Sequence, residues 1–300
     1  MGDLRKLLGE KQILIADGAT GTMLQMFGLR DARCAEEWNL KRPEIVAQIP
    51  RAYADAGSDI VYTNTFGGNR IRLARAGMLD LIRELNFSGA RIAKEAVGDA
   101  VVIAGSMGPT GDFLEPLGTL TAEEVRSVYA EQASLLLEGG VDALALETFA
   151  SLDELLAAVE GVRSITDAPL IATMSFDTGT HTMMGVSPKE AVNVLSALPV
   201  DAFGFNCGSD LESALQVAEL MASCAPNGAV LVAKPNGGKP RFVAGEVVWD
   251  VTPIKMAEAA VKFAWLGFRI IGGCCGTTPE HIRAIANALR CQMGTQNRWG

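Results

Sequence analysis

The run ALALETFASLDELLAAVEGVRSITDAPLIATMS, residues 143–175, carries the strongest signal for the architecture of this chain. It contains a short apolar stretch of β type over Ala143–Leu146, an amphipathic helical stretch over Leu152–Val162 and a second apolar stretch over Leu170–Ser175. Ser151 places a hydroxyl cap directly before the helical stretch. A strand, a helix and a further strand in this order are typical of the βαβ unit of a parallel sheet.

The same alternation continues along the chain and predicts eight strands. They cover Ile13–Ala16, Asp59–Thr63, Val101–Gly105, Ala143–Leu146, Leu170–Ser175, Ala202–Asn206, Val230–Ala233 and Phe268–Gly272. Further helical patterns cover Ala122–Glu138, Pro188–Leu198 and Leu211–Ala222, and hydroxyl caps precede helices at Thr121, Ser187 and Thr278. Eight strand–helix pairs fit a closed barrel better than an open sheet. We therefore predict an α/β protein with a single (β/α)8 TIM barrel of parallel strands over residues 1–290. Residues 1–11 should form a helix across the barrel bottom, and residues 291–300 a tail.

Composition narrows the classes of function. The 300 residues are 49% apolar, and the formal net charge is −9 with Lys and Arg scattered, which argues against nucleic acid and membrane partners. No apolar run is long enough to span a membrane, and the N-terminus does not resemble a secretion signal, so we predict a cytoplasmic protein. The six cysteines are then expected as thiols or metal ligands. With only His181 and His281, a His-rich metal site is hard to build, and His281 is predicted to be a solvated helix residue.

Polar residues follow the predicted strands, at the end of the barrel where active sites of this fold lie. They are Asp17, Asn64, Ser106, Glu147, Asp177, Cys207, Asn236 and the pair Cys274-Cys275. A random scatter of polar residues would not produce this pattern, so it supports both the fold and a site at this end.

Three cysteines of this set are predicted to bind one metal ion. Cys207 follows the sixth strand, and Cys274 and Cys275 follow the eighth, where flanking glycines allow a tight backbone path. Three thiolates on Zn²⁺ leave one position open for a substrate. An all-sulfur ligand set suits a site that presents a substrate thiolate as a nucleophile, which indicates alkyl transfer to sulfur. Buried inert cysteines or a vicinal disulfide are the alternatives.

Other candidates have a structural and a functional interpretation. Asn236 is either a turn residue or a weak oxygen ligand that fills the open zinc position until substrate displaces it. Asp17 opens the run DGATGT, in which the N–H groups of Gly18 and Ala19 either hold a substrate carboxylate or only form a tight turn. Glu147 is costly after an apolar strand unless it is paired, either with a substrate ammonium group or with an internal Arg or Lys.

Together these residues resemble the homocysteine S-methyltransferase family. The resemblance covers nearly the whole chain, through DGATGT, TNTFGGNR, GSMGPTGDF, LETFASLDE, GFNCG, KPNGGKP and GGCCGTTPEHI. It implies a zinc barrel that transfers a methyl group to homocysteine and makes methionine, with Cys207, Cys274 and Cys275 as zinc ligands. It also implies that homocysteine is held by Asp17, Gly18, Ala19 and Glu147, and we include Asn64 and Ser106 as substrate-binding candidates.

The methyl donor is less constrained by the sequence. CAEEWNLKRPEIV and ETF are more similar to the first module of cobalamin-dependent methionine synthase, which implies a methylcobalamin carried by a separate corrinoid protein or module. Betaine favours an aromatic cage, which the 6% aromatic content argues against, although Trp38 and Tyr62 offer part of one. Betaine or S-methylmethionine as donor therefore stays open, as do a demethylase that delivers methyl groups to a corrinoid protein and a zinc-stabilised structural protein.

Overall fold

Eight parallel strands form a barrel in this computed structural model, which describes residues 3–30, 34–243 and 246–296. The barrel strands are β1 Leu14–Ile15, β2 Ile60–Tyr62, β3 Val102–Met107, β4 Ala143–Phe149, β5 Leu170–Met174, β6 Ala202–Cys207, β7 Leu231–Pro235 and, after two further strands, β10 Phe268–Ile271. Their order in the sheet is β1-β10-β7-β6-β5-β4-β3-β2. A parallel bridge between Ala16, directly after β1, and Ile60 of β2 joins the two ends of this order and closes the barrel. The prediction of a TIM barrel is confirmed.

Helices surround the strands and follow them along the chain. They are α1 Leu4–Glu10, α2 Thr20–Met26, α3 Trp38–Lys41, α4 Pro43–Val46, α5 Gln48–Ala56, α6 Arg70–Arg75, α7 Ile82–Val97, α8 Ala122–Glu138, α9 Leu152–Arg163, α10 Pro188–Leu195, α11 Leu211–Cys224, α12 Pro253–Trp265 and α13 Pro279–Gln296. Helix α13 thus runs through the first residues of the predicted tail, while 297–300 lie outside the described residues. No helix in the described ranges is long and apolar enough to cross a bilayer.

Local capping signals fixed several helix starts to the residue. Thr121 forms a capping box with Glu124, and the side chains of Ser151 and Ser187 each accept the N–H three residues on. The prediction for Thr278 differs in detail, because its hydroxyl and N–H contact Nδ1 of His281 instead. These caps satisfy N–H groups that have no partner within the helix.

Every barrel strand contributes to one inner apolar cluster, which identifies the faces that point into the barrel. Each strand supplies one or two of its residues: Leu14, Ala16, Ile60, Tyr62, Val102, Ala104, Ala143, Ala145, Ile171, Ala202, Val232 and Ile270. Leu4 of α1 is fully buried in the same cluster, so α1 closes the N-terminal end of the barrel as predicted. The opposite, carboxyl-terminal end remains available for a site.

An antiparallel hairpin follows β7 and was not predicted. Its strands are β8 Pro240–Val243 and β9 Glu246–Trp249. Trp249 packs so closely on Gly276 that a Cβ added there would lie 2.1 Å from the indole ring. His281 is also held in this region: its Nε2 contacts the carbonyl oxygen of Val251 at 2.9 Å, and the residue is 8% exposed. The prediction of a solvated His281 was therefore wrong.

Candidate functional site at the barrel mouth

A polar layer lies above the apolar interior at the carboxyl ends of the strands. Side chains on a strand alternate between its two faces, so the position two residues after an inward apolar residue also points inward. On five neighbouring strands a polar residue stands at such an inward position. Ser106 on β3, Glu147 on β4, Thr173 on β5 and Lys234 on β7 each lie two residues after an inward apolar residue, and Asn206 on β6 lies four residues after Ala202. The sequence therefore changes from apolar to polar where the barrel opens.

The structure brings the three predicted cysteines together. The sulfur atoms of Cys207, Cys274 and Cys275 lie within 4.8 Å of one another, although β7 separates the two strands that carry them. Hydrogen bonding to Cys274 favours the Cys207 thiolate, but the contact with Cys275 and burial outweigh it and raise the pKa of Cys207 to about 12. Contacts among the thiols and burial likewise raise the pKa of Cys274 and Cys275. Three clustered thiolates would repel one another, so the cluster requires a cation to hold its sulfurs ionised.

Asn236 stands beside this cluster with one polar atom unused. It follows Pro235, which is the register partner of Cys207. Its amide Nδ2 donates to the carbonyl oxygen of Gly208 at 2.6 Å, but its buried Oδ1 has no hydrogen-bond partner. A buried acceptor without a partner is costly unless a donor or a cation satisfies it. The three thiols alone supply the kind of sulfur ligands that a tetrahedral metal such as zinc binds.

Glu147 faces the same region and is bonded to Ser106. The Ser106 hydroxyl donates to Glu147 Oε1. Burial raises the pKa of Glu147, while Lys234 and Ser106 partly oppose this effect. The carboxylate is thus desolvated and has spare acceptor capacity, as expected for a group that receives a cationic substrate group.

A buried ion pair between Lys234 and Asp17 lies next to Glu147. Lys234 is 3% exposed and Asp17 is 1% exposed, and Nζ lies 2.9 Å from Oδ1. The Lys234 ammonium also lies 3.3 Å from the centre of the Tyr62 ring, and the Tyr62 N–H donates to Asp17 Oδ2 at 2.6 Å. Burial opposes the charge of Lys234, but the Asp17 carboxylate, with help from Tyr62 and Glu147, outweighs burial and raises the pKa of Lys234. Burial raises the pKa of Asp17, and Lys234 limits that rise.

The remaining predicted residues have mixed surroundings. The Ala19 N–H donates to the Thr277 hydroxyl at 3.2 Å, so this N–H is already engaged. Asn64 donates to the Ala35 carbonyl oxygen and to Asn39 Oδ1, both at 2.9 Å. Asp177 is exposed, and its carboxylate accepts a hydrogen bond from the Ser175 hydroxyl.

One cavity of about 800 Å³ connects these groups. Its lining includes these residues predicted from the sequence: Gly18, Ala19, Asn64, Ser106, Glu147, Cys207, Cys274 and Cys275. The described aromatic residues that line it are Tyr62 and Phe66, and a cation covers each ring: Lys234 lies over Tyr62, and the Arg72 guanidinium lies 5.1 Å from the Phe66 centre. Trp38 instead stacks with Arg42 at 5.5 Å. No aromatic cage is therefore assembled among the described residues of this cavity.

Sequence reasoning missed three residues of this site. Lys234 lines the cavity, and Asn206 and Thr148 form part of its wall structure. A signal for Lys234 existed, because the lysine ends the apolar run LVAK just as Glu147 ends ALALE. Asn206 precedes Cys207 directly, but its contacts arise only when β4, β5 and β10 meet.

Comparison with known proteins shows the family of this chain. The homocysteine S-methyltransferase family model matches residues 14–289, so this chain belongs to that family. It is 35% identical to methionine synthase of Mycobacterium leprae over 316 positions, covering 99% of this chain and 26% of that protein. For methionine synthase of Mycobacterium tuberculosis the values are 35% over 306 positions, 96% and 25%. The chain spans about a quarter of the length of the curated relatives it matches.

A solved structure shares the fold. It is the metallated form of the homocysteine methyltransferase MmuM from Escherichia coli, with a TM-score of 0.79 and 24% identity, over 95% of this chain and 99% of that chain. At this identity the match supports the barrel architecture and its extent.

Proposed function

We propose that this chain binds homocysteine at the barrel mouth and presents its sulfur for methylation, which yields methionine. The observation that carries the proposal is the placement of three thiols within 4.8 Å of one another in the same cavity as Glu147 and Lys234. The thiols offer a site for a metal-bound sulfur, and the charged groups offer a site for an amino acid backbone. Membership of the homocysteine S-methyltransferase family and the names of the methionine synthase relatives support the same substrate.

Zinc is the metal that we propose for the thiol cluster. Cys207, Cys274 and Cys275 would hold it, and the unpartnered Oδ1 of Asn236 is the candidate fourth ligand before substrate binds. When bound, zinc supplies Lewis acidity that favours the thiolate form of a substrate thiol. The protein contributes sulfur donors that already lie together at the ends of β6 and β10.

The charges of the cavity suit the other end of homocysteine. When both carboxylates are ionised, Glu147 and Asp17 carry two negative charges and Lys234 carries one positive charge, which leaves one negative charge in excess. We propose that the substrate ammonium binds Glu147 and neutralises this excess. In this proposal Asp17 acts through Lys234, and the carboxylate of homocysteine is held near Gly18 and Lys234 rather than by the engaged Ala19 N–H.

We propose a corrinoid, such as methylcobalamin supplied by a separate protein or module, as the methyl donor. The resemblance of CAEEWNLKRPEIV and ETF to the first module of cobalamin-dependent methionine synthase supports this donor. The cavity adds a second argument, because quaternary ammonium donors favour free aromatic faces. Here Lys234 and Arg72 already cover Tyr62 and Phe66.

The first experiment measures metal content and homocysteine binding by calorimetry in two buffers of different ionisation enthalpy. We expect one zinc per chain and release of one proton when homocysteine binds, because the thiol loses its proton on the metal. Cys207→Ala and Cys275→Ala should lose zinc and binding, whereas Cys224→Ala, at a cysteine on α11 outside the cluster, should retain both. A zinc-free wild-type protein, or binding without proton release, would contradict the proposal.

The second experiment identifies the donor. The zinc-loaded protein is incubated with homocysteine and, separately, with methylcobalamin, betaine or S-methylmethionine, and methionine is quantified. We expect methionine from methylcobalamin. Methionine from betaine alone would refute the corrinoid donor, and weak homocysteine binding would instead favour the demethylase hypothesis.

A further inference from the structure

Two non-glycine residues at the barrel mouth adopt positive φ angles, Thr148 at 68° and Cys207 at 62°. This conformation is uncommon for residues with a Cβ and unfavourable for a β-branched residue such as threonine. Such a backbone persists only where the surrounding contacts determine it. Both residues line the cavity, so their backbone conformation sets where the substrate contacts lie.

Asn206 contacts both of these positions. It precedes Cys207 directly, and its Oδ1 accepts the Thr148 N–H at 2.7 Å and the Thr173 hydroxyl at 2.7 Å. Its Nδ2 donates to the Thr148 hydroxyl at 2.7 Å and approaches the sulfur of Cys274 at 3.6 Å. The side chain is 1% exposed, so water does not compete for these bonds.

Thr148 lies in a β-bulge. The register between β4 and β5 shifts between Leu146 and Phe149, which inserts the segment that contains Glu147 and Thr148. A bulge next to a site re-aims the side chains that follow the regular strand. Here both Glu147 and Thr148 face the cavity.

We propose that Asn206 is a positioning residue that ties the thiol cluster to the β4 bulge and so fixes the distance between the thiol cluster and Glu147. The amide of Asn206 connects the two ends of this distance. Its Nδ2 contacts the sulfur of Cys274, and its Oδ1 holds the backbone N–H one residue after Glu147. The bulge then cannot shift independently of the sulfurs.

A fixed distance between the thiol cluster and Glu147 determines the length of the amino acid that fits. This consequence rests on the proposed function, in which the substrate sulfur enters the thiol cluster and its ammonium binds Glu147. Homocysteine and cysteine differ by one methylene group between these two ends. A rigid pocket can discriminate one methylene by about 10- to 200-fold, and a bulge released from the cluster would adapt to the shorter molecule.

The test compares wild type with Asn206→Ala in two measurements. The first is calorimetric titration of the zinc-loaded proteins with homocysteine and with cysteine. We expect wild type to prefer homocysteine by at least about tenfold, and Asn206→Ala to lose most of that preference. The second is amide hydrogen exchange of residues 145–150 in metal-free protein, which should become faster in the variant because the Thr148 N–H loses its acceptor.

Controls separate positioning from folding. Asn86→Ala removes another buried asparagine, which donates to the carbonyl oxygens of Gly68 and Ile82, and should leave the homocysteine preference unchanged. If Asn206→Ala unfolds, the double variant Asn206→Ala with Thr148→Gly is used, because glycine adopts a positive φ without strain. That double variant should fold and still discriminate poorly.

The outcomes are distinct. If hydrogen exchange at 145–150 is the same in Asn206→Ala as in wild type, Asn206 does not hold the β4 bulge. If exchange is faster but the preference for homocysteine over cysteine is unchanged, Asn206 does not act as a positioning residue. If wild type binds neither amino acid, the proposed function fails, and the exchange measurement alone decides whether Asn206 holds the bulge.

Discussion

Replacing Lys234 by methionine should destabilise the barrel strongly, because it leaves the Asp17 carboxylate buried without its cation. The two groups lie 2.9 Å apart and are 3% and 1% exposed, so solvent does not screen the pair. Removing one partner of a buried pair costs about 3–5 kcal/mol. At about 2 °C per kcal/mol for a chain of this size, the melting temperature should fall by about 6–10 °C. Without Lys234 the pKa of Asp17 rises further, so the deficit should be largest at neutral and alkaline pH and shrink on acidification as Asp17 protonates.

The assay is thermal unfolding followed by circular dichroism at pH 5 and pH 8. Lys239→Met is a matched control, since Lys239 also lies 2.9 Å from an aspartate, Asp210, but is 61% exposed, so this variant should melt close to the wild type. Asp17→Asn combined with Lys234→Met should recover part of the loss, because it removes the unpaired charge. The reasoning is refuted if Lys234→Met melts with the wild type at pH 8, or if the double variant is less stable than Lys234→Met alone.

Three further perturbations test other contacts. Glu147→Gln should weaken homocysteine binding roughly 10- to 150-fold in calorimetry, because a charged hydrogen bond is lost. The variant should nevertheless melt no lower than wild type at pH 8. Burial raises the pKa of Glu147, so its ionised form destabilises the fold. Wild-type binding should also weaken as the pH falls through this raised pKa, at a higher pH than for an exposed glutamate; a midpoint at or below 4.5 would contradict this. Glu154→Ala removes the acceptor for the Thr110 N–H and hydroxyl, both at 2.7 Å, and should lower the free energy of unfolding by about 1–3 kcal/mol in denaturant. Glu160→Ala, on the exposed face of the same helix, should lower it little. Equal decreases in the two variants would contradict the argument. Gly204→Ala should prevent the barrel from folding, seen as loss of the cooperative unfolding transition, because the added Cβ would lie 2.0 Å from a backbone oxygen of β7. In the control Gly9→Ala the added Cβ meets no atom within 4 Å, so that variant should be as stable as wild type or more stable. A stable Gly204→Ala barrel would disprove the clash.

The parts of the fold that could be predicted depend on local signals. Thr121, Ser151 and Ser187 cap helices whose starts were predicted to the residue, because a cap acts within one turn. The end of the third of these helices was placed three residues too late, at Leu198 instead of Leu195, since the first stop signal after Leu195 is Pro199. The hairpin over 240–249 was missed, because it is a short insertion after a strand that already completed its expected pattern.

The site was predictable where residue type and strand position coincide. The grouping of the three cysteines followed from their places after the sixth and eighth strands, and Glu147 from its place after the fourth. Lys234 and Asp17 are 217 residues apart, and only the closed barrel makes them partners. His281 was misjudged for the same reason: its helix start is polar in sequence, but the chain near Val251 covers it.

The position of β10 links the thiol cluster to the completion of the barrel. This strand pairs with β1 on one side and β7 on the other, and it carries the backbone that leads directly into Cys274 and Cys275. During synthesis Cys207 emerges long before the vicinal pair, and the three sulfurs cannot meet until the last strand docks. Metal retention would then report successful closure of the ring, so a chain arrested in maturation would have no tight place for the ion.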